Sequence, residues 1–213
     1  TNKHVIWDFV SRNQKRFQEL ADKVWSTPET CYSEQNSMSA HVDELIYHGF
    51  SVTKGIANIP TAVVGEYGTD GPIIAFLGEY DALAGLSQKA DVFHQDPVKK
   101  GENGHGCGHN LLGSASMQAA VALKEWLKDS NLPGVVRYYG CPAEEGGAAK
   151  TFMVRDKIFK DVDAAITWHP GCLPGIVKGS SLANCRVDFT FEGRASHAAV
   201  SPHLGRSALD AIE

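Results

Sequence analysis

The sequence predicts an α/β fold, because apolar strand segments alternate along the chain with segments of helical periodicity. Buried strands are expected at residues 73–77, 134–141 and 164–168. Acidic or imidazole residues follow each of these strands directly. In open α/β sheets, functional sites form at the carboxyl ends of the strands. The predicted fold therefore carries its candidate site along one edge of the sheet.

Two helices and two strands are predicted before the first buried strand. Helical periodicity covers residues 3–25 and resumes at about Ser33, where Gly49 is well placed to end the second helix. Strand patterns follow at residues 50–54 and 61–67. These elements are interpreted as scaffold.

The region between the first buried strand and the next helix carries a long loop. Residues 82–103 show little periodicity, and long loops in compact domains are usually functional or mobile. The helix that follows is expected to be capped by Asn110, and a shorter helix is expected at residues 151–159.

The pattern changes after Pro174. Residues 182–192 alternate apolar and polar side chains, as in a half-exposed antiparallel strand, and a helix is expected at residues 204–212. We expect a second domain to begin at about residue 180. The sequence stops at Glu213 inside a helical pattern, which favours a chain that ends within this second domain.

Composition narrows the functional class. A chain of 213 residues with 43% hydrophobic content can bury a full core. The formal net charge of -5, without a long basic stripe, argues against nucleic acid or an anionic membrane as partner. No membrane span or signal peptide is predicted, and five dispersed cysteines do not resemble a disulfide framework. We therefore expect a cytoplasmic protein that acts on small molecules.

A glycine-rich stretch at residues 104–110 interleaves one thiol with two imidazoles. Cys107 and His109 offer a thiolate and an imidazole, which are good ligands for zinc and related metals. A flexible loop with an ordinary cysteine explains this motif alone equally well. A phosphate-binding loop is disfavoured, because no strand runs directly into the stretch and no Gly-Lys-Ser/Thr follows.

The strand ends and loops together supply enough donors for two metal ions that share a bridging ligand. The candidates are Asp81, Cys107, His109, Glu144, Glu145 and His169. Each one taken singly is explained by a solvated turn or a core histidine. Their joint occurrence after successive strands favours a metal site.

The adjacent carboxylates Glu144 and Glu145 indicate hydrolysis. Neighbouring side chains project in different directions, so one can bind metal while the other accepts a proton from water. One metal ion lowers the pKa of water and a second polarises a carbonyl, a combination that hydrolyses amides. The competing mechanism uses Cys107 as a nucleophile, but it leaves the carboxylate pair and His169 without a role.

Five motifs occur in the order of a known family. They are residues 78–83 (GEYDAL), 105–109 (HGCGH), 142–147 (PAEEGG), 168–170 (WHP) and 193–199 (GRASHAA). With them the sequence resembles the M20 metallopeptidases and amidohydrolases, in particular the aminoacylase and amino-acid-conjugate hydrolase branch.

The resemblance implies roles for individual residues. The implied metal ligands are Cys107, which would bridge two ions, His109, Glu145 and His169. Glu144 would be the general base, and Asp81 and His105 would lie behind the ligands and support them. His197, in the second domain, matches a lid histidine that helps to stabilise the tetrahedral intermediate, often from the partner subunit.

The resemblance also implies the architecture. Residues 1–179 would form a zinc-peptidase-like catalytic domain with helices on both faces of a mixed sheet. Residues 180–213 would begin an α+β lid and dimerisation domain. Two features depart from the family: Asn110 stands where the branch commonly has aspartate, and the family's last metal-binding histidine lies beyond Glu213.

The implied activity is metal-dependent hydrolysis of the amide between an acyl or aroyl group and an amino acid. The implied cofactors are two divalent ions, Mn²⁺ or Zn²⁺. A homodimer, or a heterodimer with a related subunit, would be the assembly. An M20-type dipeptidase and a non-catalytic metal-binding homologue are the alternatives.

Overall fold

The computed structural model describes residues 3–176 and 179–213. The chain divides into two compact units, Thr1–Cys172 and Leu173–Glu213. The domain boundary expected at about residue 180 stays a prediction. Among the described residues, no helix combines the length and the apolar character that crossing a bilayer requires.

A five-stranded mixed sheet lies at the centre of the first unit, which confirms the predicted α/β fold. The strands are β1 (Ser51–Lys54), β2 (Val63–Tyr67), β3 (Ile73–Gly78), β4 (Val135–Gly140) and β5 (Ala164–Ile166). Their order in the sheet is β1-β2-β4-β3-β5. Strand β3 runs parallel to both β4 and β5, whereas β2 is antiparallel to β1 and β4.

The helices are assigned in chain order. They are α1 (Lys3–Trp25), α2 (Gln35–Tyr47), α3 (His109–Asp129), α4 (Glu144–Gly147), α5 (Ala149–Arg155) and α6 (Ala208–Ile212). The long helix predicted at residues 3–25 is confirmed. The helix predicted at residues 204–212 is shorter in the structure, where the Ser207 side chain caps α6 by accepting the N–H of Asp210.

Side chains of β4 alternate between two hydrophobic cores, which confirms helices on both faces of the sheet. Val136 and Tyr138 pack in one core with Leu20 of α1 and Met117 of α3. Tyr139 points the other way and belongs to a core that contains Met153 of α5. Burying a large apolar side chain of this kind contributes roughly 1.5–3 kcal/mol. The two cores hold β3 and β4 rigidly beneath the site.

Two strand predictions are wrong in part or in whole. Residues 164–168 were expected to form a buried strand, but β5 covers only three residues and all three are exposed. Within the described chain β5 pairs with β3 alone and forms an edge of the sheet. The strand expected at residues 182–192 does not form. Phe189 there is 78% exposed, and a strand needs a hydrogen-bonded neighbour that the described part of this unit does not provide.

The predicted cap at Asn110 is also wrong. Helix α3 begins one residue earlier, at His109, and its N-cap residue Gly108 makes no side-chain cap hydrogen bond. The Asn110 side chain is buried and donates a hydrogen bond to the carbonyl oxygen of Ala21. Asn110 therefore joins α3 to α1 instead of capping α3.

Arg137 on β4 connects the sheet to the segment before β5. Its guanidinium contacts the Glu66 carboxylate and forms two hydrogen bonds of 2.8 Å with Asp161. Because lysine cannot reproduce this paired geometry, Arg137→Lys is expected to lower the free energy of unfolding by about 1 kcal/mol. Urea denaturation of both proteins measures the difference, and the exposed Lys128→Arg is the control. Equal midpoints for Arg137→Lys and wild type would contradict the assignment.

Candidate metal centre

The candidate site lies at the carboxyl ends of the three parallel strands. Residues 79–81 follow β3, the Glu144–Gly147 helix follows β4, and His169 follows β5. Helix α3 brings His109 to the same place at its first residue. The sheet thus collects residues that are far apart in the sequence.

Asp81 fixes the orientation of the His109 ring. Asp81 Oδ1 lies 2.8 Å from His109 Nδ1, and both side chains are buried. Asp81 Oδ2 accepts the backbone N–H of Glu145 at 2.9 Å. Burial acts to raise the pKa of Asp81, but the hydrogen bonds from His109 and Glu145 outweigh it and leave this pKa below its usual value. A hydrogen on Nδ1 shared with Asp81 leaves Nε2 of His109 as a potential metal ligand.

Three carboxylates surround His109 Nε2. Glu79 Oε2 lies 3.0 Å away, Glu144 Oε2 3.7 Å and Glu145 Oε1 3.8 Å. Within the described chain, His109 Nε2, Glu79 Oε2 and Glu145 Oε1 are buried atoms without a hydrogen-bond partner. An imidazole lone pair that faces carboxylate lone pairs needs a proton or a cation between them.

Cys107 and His169 form the other side of the site. Cys107 Sγ lies 3.2 Å from His169 Nε2, and His169 Nδ1 lies 2.8 Å from the carbonyl oxygen of Pro170. Gly108 joins this side to His109 with a positive φ of 84°, and a Cβ there would lie 3.0 Å from the Pro170 ring. Glycine is therefore favoured at this position by both backbone conformation and space.

Two groups of potential ligands share His109. Ligand atoms of Cys107, His109 and His169 lie within 4.8 Å of one another, and so do those of Glu79, His109 and Glu144. The structure therefore brings together all the metal ligands predicted from the sequence, with Glu145 close by. Which of Glu144 and Glu145 binds metal is not decided by these distances and stays a prediction.

The surroundings of Cys107 oppose a free thiolate. Burial and the neighbouring Glu145 raise the pKa of the Cys107 thiol to about 12. A thiol with this pKa is a poor nucleophile near neutral pH, because the thiolate is the reactive form. This argues against the cysteine-nucleophile mechanism, whereas a bound cation would offset the carboxylate charge that disfavours the thiolate.

Two residues that sequence reasoning missed complete the site. Glu79 is buried and contacts both His109 and Lys150, whose ammonium group forms an ion pair with Glu79 Oε1. The position of Glu79, two residues before Asp81, was a usable signal because alternate residues share a side of an extended chain. No sequence pattern pointed to Lys150 at the start of α5.

The two remaining histidines lie outside this cluster. His105 is buried beside α1, where its Nε2 lies 3.2 Å from the carbonyl oxygen of Val24. Burial lowers the pKa of His105 to about 4. His197 belongs to the second unit, where its Nδ1 accepts the N–H groups of Ala199 and Val200 at 3.2 Å each. Their predicted roles stay predictions.

The donor set fits divalent metal ions. It combines a thiol, two imidazoles and several carboxylates with buried lone pairs that have no partner in the described chain. Ligands of this mixture suit zinc and manganese. An α/β sheet with such donors at the carboxyl ends of its parallel strands defines a class of metal-site proteins.

Comparison with known proteins identifies the family. The description Peptidase family M20/M25/M40 matches residues 75–213, more than half of the sequence, and the chain belongs to this family. It is 51% identical over 207 residues to one of the component chains of the p-aminobenzoyl-glutamate hydrolase of Escherichia coli, covering 97% of this chain and 43% of that protein. It is 30% identical over 219 residues to the Xaa-Arg dipeptidase of Mus musculus, covering 95% and 46%.

The fold agrees with solved structures of the same family. A dinuclear metal-binding M20 peptidase of Bacillus subtilis superposes with a TM-score of 0.60 at 23% identity, covering 73% of this chain and 42% of that one. The sequence thus spans less than half the length of the relatives that it matches. These relatives establish the family and the fold.

Proposed function

We propose that this chain carries most of the metal site of an amidohydrolase that cleaves N-acyl amino acids, p-aminobenzoyl-glutamate among them. The observation that carries the proposal is His109 Nε2, a buried lone pair that faces Glu79, Glu144 and Glu145. The 51% identity to a component of a p-aminobenzoyl-glutamate hydrolase supports this substrate class.

Cys107, His109, Glu145 and His169 are the proposed ligands, with Cys107 shared between two ions. The carboxylate of Glu145 is 18% exposed and its backbone N–H is held by Asp81, as suits a fixed ligand. The carboxylate of Glu144 is 42% exposed and therefore has access to water. This difference supports Glu145 as the ligand and Glu144 as the general base.

Two divalent ions would make water more acidic and would polarise the carbonyl of the bound amide. Glu144 accepts a proton from the attacking water as the water oxygen bonds to the carbonyl carbon. Glu144 then donates this proton to the amide nitrogen, and the C–N bond breaks to give a carboxylic acid and a free amino acid. Burial and Glu79 raise the pKa of Glu144, which favours both proton transfers.

The remaining roles concern the surroundings of the reaction. Asp81 keeps the His109 ring in place, and His105 anchors the glycine-rich stretch to α1. We assign His197 to the oxyanion of the tetrahedral intermediate and residues 180–213 to the beginning of a lid and dimerisation domain. The partner would be a second copy or a related chain, and five free cysteines agree with a cytoplasmic location.

The metal can be Zn²⁺ or Mn²⁺, because the thiol and imidazoles favour zinc and the carboxylates favour manganese. Elemental analysis of the purified protein distinguishes them.

The test uses the longest natural protein that contains this sequence. Hydrolysis of p-aminobenzoyl-glutamate is expected to stop after chelation and to return when Mn²⁺ or Zn²⁺ is added. N-acetyl amino acids and an Xaa-Arg dipeptide are assayed in parallel. Faster cleavage of the dipeptide would favour the dipeptidase alternative, for which the similarity to the mouse enzyme is the supporting observation. Metal binding without turnover of any substrate would favour the non-catalytic alternative.

A further inference from the structure

We propose that Glu34, at the start of α2, is a positioning residue that sets the orientation of Glu144 and Glu145 through the backbone of Ala143. The inference rests on the proposed function, in which this carboxylate pair provides one metal ligand and the general base. Glu34 is 109 residues away from Ala143 in the sequence and belongs to none of the motifs that identify the family.

The contact between Glu34 and Ala143 is direct. Glu34 is fully buried, with 0% exposure. Its Oε1 accepts the backbone N–H of Ala143 at 2.8 Å and that of Tyr32 at 3.0 Å. The carboxylate thus fixes the residue immediately before Glu144.

The backbone of Ala143 needs such support. Ala143 has φ 53° and ψ 38°, the left-handed conformation, which costs a residue with a Cβ roughly 1–2 kcal/mol. Such a conformation persists only where the surrounding structure holds it. The direction in which the chain enters Glu144 therefore depends on what holds Ala143.

Helix α4 cannot fix this direction by itself. It contains only four residues, far fewer than an isolated helix needs for stability. Three tertiary contacts hold the segment: Glu34 on the N–H of Ala143, Asp81 on the N–H of Glu145, and the Tyr32 hydroxyl on the carbonyl oxygen of Gly147 at 2.5 Å. Two of them come from residues 32–34, so this short segment is a brace for the carboxylate pair.

Stability alone does not account for a carboxylate at this position. Glu34 Oε2 has no hydrogen-bond partner within the described chain, and burying a charged group is costly. What this side chain supplies is an acceptor at the reach of a glutamate. The length of the side chain and its oxygen, more than its charge, are what the contact with Ala143 requires.

This distinction gives a paired test. Glu34→Asp keeps the charge but withdraws the oxygen from Ala143, whereas Glu34→Gln loses the charge and keeps an oxygen at the same reach. Glu34→Asp is expected to weaken the binding of Zn²⁺ or Mn²⁺ alone, measured by titration calorimetry, roughly 10- to 100-fold. It is also expected to lower kcat more than it changes KM. Glu34→Gln is expected to stay within a few-fold of wild type in both measurements.

The matched control is Glu44→Asp, the same shortening of a buried glutamate that pairs with Arg16 on the far side of α2. This control is expected to lower stability and to leave metal affinity unchanged. Wild-type metal affinity in Glu34→Asp, or an equal loss in Glu34→Gln, would overturn the inference. Because metal binding is measured without substrate, a wild type that binds metal but cleaves no amide would count against the proposed function only.

Discussion

Glu144→Gln is expected to lower kcat for p-aminobenzoyl-glutamate by roughly 10²- to 10⁴-fold, the contribution typical of a general base. Glutamine has nearly the same shape, but it cannot accept and return a proton. Because Glu145 is the proposed ligand, the metal content of the variant should equal that of the wild type. Steady-state kinetics and elemental analysis of the same preparation measure both quantities.

The control for this substitution is Glu19→Gln, which makes the same chemical change at a 65% exposed position on α1. It should leave kcat and metal content unchanged. If Glu144→Gln loses metal, then Glu144 is a ligand and the proposed roles of the two glutamates must be exchanged. If it retains metal and full activity, Glu144 is not the base.

The sequence was sufficient to predict the edge of the sheet on which the site lies. Strands β3 and β4 are apolar runs followed by polar residues, so their carboxyl ends could be recognised without knowledge of strand order. Parallel pairing then brings residues 79–81 and helix α4 together. Cys107 and His109 could be included because glycine-separated ligands form a local pattern.

The supporting contacts could not be predicted in the same way. Glu34 and Lys150 act across tertiary contacts, with partners 109 and 71 residues away. Their local sequence resembles that of any polar helix end. The exposure of β5 also depends on what covers it in three dimensions, which hydrophobic periodicity does not contain. The same holds for residues 182–192, whose alternation predicts a strand only where a neighbouring strand is present.

The stability of the protein is expected to depend on pH through His41, a histidine of α2 that lies outside the metal site. His41 is completely buried between the rings of Tyr80 and Tyr138, and its Nδ1 lies 2.8 Å from the Tyr138 hydroxyl. Burial lowers the pKa of His41 to about 3, and the charge of Glu44 offsets this effect only in part.

The direction of the effect follows from proton uptake on unfolding. In the unfolded chain His41 binds a proton near its ordinary pKa of 6.5, whereas in the folded protein it does so only near 3. Its contribution to stability is therefore complete above about pH 6.5 and is lost progressively as the pH falls toward 3. From pH 7 to pH 5 this single group is expected to reduce the free energy of unfolding by about 2 kcal/mol.

The measurement compares His41→Asn with wild type by urea denaturation at several pH values, with chelator present so that protonation of metal ligands does not contribute through bound metal. Asparagine can keep a hydrogen bond with the Tyr138 hydroxyl but does not titrate. The variant should be less stable at pH 7 and should lose less stability on acidification. His94→Asn, on an exposed loop, is the control and should follow the wild-type curve. Parallel curves for His41→Asn and wild type would show that His41 is not responsible, because the proton taken up on unfolding would then belong to another group.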